Sequence, residues 1–112
     1  MATVAILPER TGSIASSVVN SSSSTIAGVA AVAGQVVRVY KLFLVAAGAT
    51  NITFEDGANA ISGPIALAAN EAIVLDIDGT PWFTTSSGNA FNIANSGTVA
   101  IGGVVYYMQT NT

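Results

Sequence analysis

The chain contains no cysteine and no histidine among its 112 residues. The first absence excludes a disulfide framework, a thiol nucleophile and any cysteine-based zinc site. The second removes the side chain that most often serves as a general base near neutral pH and as a nitrogen ligand to metals. Charge is scarce as well. Charged residues make up 8% of the chain, against about 25% in an average soluble domain. The only cations are Arg10, Arg38 and Lys41, and the net charge is −3, which argues against a nucleic-acid partner. Long apolar runs are missing too. The two longest, Ile26–Gly34 and Leu42–Ala49, fall far short of the ~20 residues needed to span a bilayer. Met1–Leu7 carries no basic leader, so neither a signal peptide nor a membrane partner is expected. The triplets Asn20-Ser21-Ser22 and Asn51-Ile52-Thr53 match the N-glycosylation pattern, but without a secretory leader they read as chance.

What is present is apolar and β-branched. Hydrophobic residues make up 51% of the chain, much of it Ala and Val. A length of 112 residues supports one core. Composition shifts near residue 25: eight of the twelve residues from Ser13 to Ser24 are Ser or Asn. Such a segment buries too little apolar surface to fold alone. Residues 1–24 are therefore expected to form an extended Ser-rich arm, with a short strand at Thr3–Leu7, and residues 25–112 the folded domain. Because the arm carries Val4, Ile6, Glu9, Arg10, Ile14, Val18 and Val19, these are its candidate contact residues. Arg10 suits a bidentate polar anchor.

From Thr25 onward strands alternate with turns. Gln35–Ala47 is rich in β-branched and aromatic residues. Strands are also expected at Ile26–Ala33, Asn51–Phe54, Ile61–Leu67, Glu71–Ile77, Pro81–Thr85, Asn89–Ile93 and Thr98–Gln109. Glu55-Asp56-Gly57, Asp78-Gly79, Ser86-Ser87-Gly88 and Asn95-Ser96-Gly97 punctuate them as turns. Pro64 lacks an N–H and belongs at an edge or bulge. Gly102-Gly103 implies a bulge or a close backbone approach. Turns every 8–12 residues, without sustained helical periodicity, point to an all-β antiparallel sandwich of jelly-roll type with about eight strands. Leu42–Val45 and Val104–Met108 are apolar on both strand faces. One face of a sandwich sheet meets the core and the other normally meets water, so the second face should be covered by the arm, another subunit or a larger assembly. With so little charge to keep a monomer soluble, a homo-oligomer is expected.

Reactive constellations are thin. Asp76-Ile77-Asp78-Gly79 holds two carboxylates at i and i+2, but Pro81-Trp82-Phe83 follows where a calcium loop would continue its ligands. It reads as an ordinary turn. Lys41 lies mid-strand without Ser-x-x-Lys spacing, so no serine gains a base. Trp82, Phe83, Tyr106 and Tyr107 admit a sugar-stacking platform, but a sandwich this small needs its aromatics in the core. No metal, cofactor or enzymatic activity is expected.

Several segments together resemble a known module. These are Ala33–Val39, Leu44–Ala49, Ile52–Gly57, Leu67–Asn70, Pro81–Thr85 with Gly88–Asn92, and Val99–Tyr106. The pattern resembles the small β-sandwich of tailed-bacteriophage virion proteins, found in capsid decoration (cement) proteins and in head- or tail-fibre proteins. It covers about residues 25–108 and consists of scattered apolar and turn positions. The resemblance implies a structural protein on the outer capsid surface of a virion. Its partner would be the major capsid protein, its joints the sites stabilised, and a trimer the assembly suited to threefold lattice positions. The alternative it implies is a fibre or receptor-binding role, with an exposed aromatic patch around Trp82.

Overall fold

The computed structural model describes residues 14–111, which form ten β-strands and no helix. The strands are β1 (Ala15–Ser21), β2 (Thr25–Val29), β3 (Gln35–Ala46), β4 (Thr50–Asp56) and β5 (Asn59–Ala60). They continue with β6 (Ile65–Leu67), β7 (Ala72–Leu75), β8 (Phe83–Thr84), β9 (Phe91–Asn95) and β10 (Ile101–Asn111). Two antiparallel sheets pack face to face as a β-sandwich. One has the order β1-β10-β3-β7, with β8 also paired to β3; the other has the order β2-β9-β4-β5, with β6 also paired to β4.

The β3–β10 ladder is the longest pairing, running from Ala46 opposite Ile101 to Gln35 opposite Asn111. Its inward side chains, Val37, Val39, Leu42, Leu44, Ile101 and Val105, are fully buried. Ile52 and Phe54 of β4 and Phe91 and Ile93 of β9 meet them from the opposite sheet. Phe83 of β8 stands at the join. Its ring centroid lies 5.0 Å from that of Phe54 and 5.6 Å from that of Phe91. Each such aromatic pair contributes about 1 kcal/mol beyond its buried area.

The arm expected over residues 1–24 needs correction at its C-terminal end. Residues 15–21 form β1 and pair with β10 along their whole length, from Ala15 opposite Tyr107 to Ser21 opposite Ile101. Val19 is 2% exposed and belongs to the core. The Ser-rich composition misled because β1 is an edge strand: its backbone bonds to β10, and the small side chains of Ala15, Ser17 and Ser21 share the inward face with Val19. Of the candidate contact residues, Ile14 and Val18 are exposed, whereas Val4, Ile6, Glu9 and Arg10, like the strand expected at Thr3–Leu7, lie outside the described residues.

Strand limits differ where turns intrude. Gly63-Pro64 leaves only Ile65–Leu67 as strand, a three-residue edge piece beside β4, as a missing N–H requires. β7 ends at Leu75, leaving Ile77 exposed. Trp82 is not a core residue either, being 46% exposed.

Gly103 resolves as a close approach. A Cβ built there would stand 1.8 Å from the Phe43 carbonyl oxygen, on the neighbouring strand. The register shift in this ladder falls elsewhere, between Tyr106 and Tyr107, where Tyr40 is the extra residue on β3. Gly102, one residue away, faces open space.

Polar groups close the ends of the sandwich. Asn95 is fully buried and satisfied: its amide accepts from Thr50 Oγ1 at 2.7 Å and donates to the carbonyls of Val99 at 2.7 Å and Ser23 at 3.2 Å. At the opposite end of β4, the Asp56 carboxylate accepts from the Ser86 N–H at 3.0 Å, the Ser86 hydroxyl at 2.8 Å and Asn89 Nδ2 at 2.9 Å. Partial desolvation pushes this carboxyl up. The bonds from the Asn89 amide, the Ser86 hydroxyl and the Ser86 N–H outweigh it and hold the group below its ordinary value.

Two outcomes follow. Gly103→Ala should destabilise the fold by about 3 kcal/mol or more, because backbone must move, while Gly102→Ala stays within about 1 kcal/mol of wild type; paired urea titrations measure both. For Asp56, a depressed folded pKa means the ionised carboxylate stabilises the fold above the ordinary carboxylate range. That stabilisation is lost as pH falls through the unfolded and then the folded value. Thermal midpoints should therefore fall with acidification more steeply in wild type than in Asp56→Asn.

Candidate functional site

The two sheets differ on the faces they turn away from the core. On the β2-β9-β4 sheet that face is polar or small, as a wetted sheet face should be. Thr25, Ala94 and Thr53 form one cross-strand row, Ala27, Asn92 and Glu55 the next, and Asn51 stands opposite Ala66.

The β1-β10-β3-β7 sheet is the reverse. Val18, Val104, Phe43 and Val74 stand directly opposite one another across all four strands. They form one apolar row on the outer face. Val18 is 79% exposed, Val74 57% and Phe43 42%. The neighbouring row, Asn20, Gly102, Val45 and Ala72, is uncharged. Cross-strand apolar neighbours of this kind stabilise a sheet only modestly while they remain wet. A contiguous exposed apolar patch on a small domain marks an interaction surface.

The row on the other side is a polar rim. Tyr106 stands between Ser16 and Lys41. Lys41 Nζ lies 3.6 Å from Asp76 Oδ1 and 5.7 Å from the Tyr106 ring centroid. Beyond it, Arg38 Nη1 donates to Thr110 Oγ1 at 2.6 Å. Both cations of the described residues therefore lie on this face. An apolar centre with a polar, charged margin is the arrangement a protein interface would require.

At the β7 end, Trp82 is held by its backbone N–H donating to the Val39 carbonyl at 2.7 Å and its indole Nε1–H donating to the Asp76 carbonyl at 2.6 Å. With its one donor used, the ring offers only apolar surface. The Asp76 carboxylate is the partner of Lys41, and Asp78 lies in the exposed turn beyond it. Among the described residues, no three His, Cys, Asp or Glu side chains cluster closely enough to hold a metal ion. The buried polar side chains Thr50, Thr85 and Asn95 all bond within the chain.

The two-faced apolar character of Leu42–Val45 and Val104–Met108 was legible in the sequence. The contributions of Val18 and Val74 were not. Val18 sits in a Ser-rich stretch and Val74 in a segment whose other face carries the apolar stripe Ile73, Leu75 and Ile77, and only cross-strand register aligns them with Phe43 and Val104.

Comparison with known proteins finds no matching family model, no matching curated protein and no matching solved structure.

Proposed function

We propose that this chain is a capsid decoration protein of a tailed bacteriophage, a structural module that docks on the outer shell and clamps joints between major capsid subunits. The observation that carries the reading is the apolar row Val18–Val104–Phe43–Val74, set on one outer face of a sandwich whose other outer face is polar. A surface of this kind gains free energy by being covered, at about 25 cal/mol per Å² of apolar area, less the cost of association. Repeated over a shell, a modest local gain becomes a large one. The choice of a phage shell as the covering surface rests on the sequence resemblance. Strand order supports the jelly-roll form of the sandwich. With the two-residue β5 and β8 set aside, eight strands remain in the orders β1-β10-β3-β7 and β2-β9-β4-β6, as two interleaved Greek keys would place them.

Trp82 favours a second reading, a fibre or receptor-binding head. Its exposed ring, with the indole N–H already bonded, suits stacking against a sugar.

Phage particles lacking this chain should lose heat and osmotic resistance yet still adsorb to cells. Lost adsorption with unchanged shell stability would favour the fibre instead, and Trp82→Ala should then abolish saccharide binding. Purified chain should bind undecorated capsids. Phe43→Lys or Val74→Lys should weaken that binding at least about tenfold, with unchanged circular dichroism. Wild-type binding to neither capsids nor glycans overturns both readings.

A further inference from the structure

The edges of the two sheets are guarded unequally. A sheet edge presents unpaired N–H and C=O groups, and proteins blunt it with short strands, charge, proline or bulges. β5, β6 and β8 have two or three residues each, and Pro64 precedes β6. β7 has four residues between Glu71 and Asp76. β2 carries a register shift between Ala27 and Val29. β1 has none of these devices. It runs seven residues, Ala15–Ser21, in unbroken register against β10, without charge, proline or glycine. Its other edge bonds to no strand among the described residues.

We propose that β1 pairs antiparallel with β1 of a second copy of this chain, about a twofold axis through Val18. The strand suits its own copy. Val18 is its central residue, so the axis sets Ala15 opposite Ser21, Ser16 opposite Asn20 and Ser17 opposite Val19, with Val18 opposite itself. Every pair joins residues of one face, and no like charges meet. The most exposed large apolar side chain of the described residues then gains an apolar neighbour. The row Val74–Phe43–Val104–Val18 continues unbroken into its symmetry mate, giving one sheet of doubled width. Because neither β1 nor β10 carries a charge, the edge offers nothing for a charged partner to read, and an isologous contact needs nothing more. This edge builds a pair; the threefold assembly expected from capsid lattices draws no support from it. The inference is independent of the shell-docking reading, since a pair forms whether or not its widened face meets a capsid.

Sedimentation of the full-length chain from micromolar to millimolar concentration tests it. Wild type should be a dimer. Val18→Lys places two ammonium groups across the axis and should give a monomer with unchanged circular dichroism, because the side chain is exposed. Val18→Glu should do the same. Mixing the two variants should restore a mixed dimer, because position 18 faces its own counterpart. Val74→Lys, at the far end of the row, should leave the dimer intact. A monomeric or trimeric wild type, failure of the mixture to pair, or a dimer lost in Val74→Lys overturns the proposal, the last by showing that the faces rather than the edges meet.

Discussion

The β3–β10 ladder is the contact on which the rest of the molecule depends. Eleven residue pairs join these strands, and every other strand of their sheet is attached to one of them: β1 to β10, and β7 and β8 to β3. The ladder requires two backbones to approach where Gly103 meets Phe43, and a single Cβ there would close the gap. Its inward side chains supply about half of the fully buried large residues, and its outward side chains supply the centre of the exposed apolar row. The core and the exposed apolar row thus occupy opposite faces of the same pair of strands.

The few charges and polar groups are divided unevenly between the two outer faces. A sandwich with two wet faces spends polar residues on both, as the β2-β9-β4 sheet does with Thr25, Thr53, Asn92 and Glu55. The outer face of the β1-β10-β3-β7 sheet carries no charge in its two central rows. The two cations among the described residues stand at the margin of the apolar row, where Lys41 is held by Asp76 and Arg38 by Thr110. Polar groups at the two ends of the sandwich bond within the chain. Asn95 ties three segments at one end of the sandwich, and Asp56 gathers the Ser86–Asn89 turn at the other. Such closed networks rigidify a scaffold.

β1 contributes to both faces of its sheet. Its inward face completes the core through Val19, its outward face extends the row through Val18, and its outer edge is, among the described residues, the one long edge without a guarding residue. Composition alone assigns this segment to a free arm. Serine is a poor core residue, yet at an edge strand it costs little, because the backbone supplies the hydrogen bonds and only Val19 must reach the interior.

The amino-acid sequence by itself determined the all-β class, most strands to within a few residues, the placement of Pro64 at an edge or bulge, a special backbone role for Gly102-Gly103 and the two-faced character of Leu42–Val45 and Val104–Met108. These are local properties: side-chain alternation, a missing N–H, a missing Cβ. Tertiary structure alone decided that residues 15–21 belong to the sheet, that Trp82 stays exposed, and that residues 18, 43, 74 and 104 stand in one line. Each of those depends on pairing between strands distant in the chain. Register is set by the whole core, and a shift of one residue would have turned the apolar row inward.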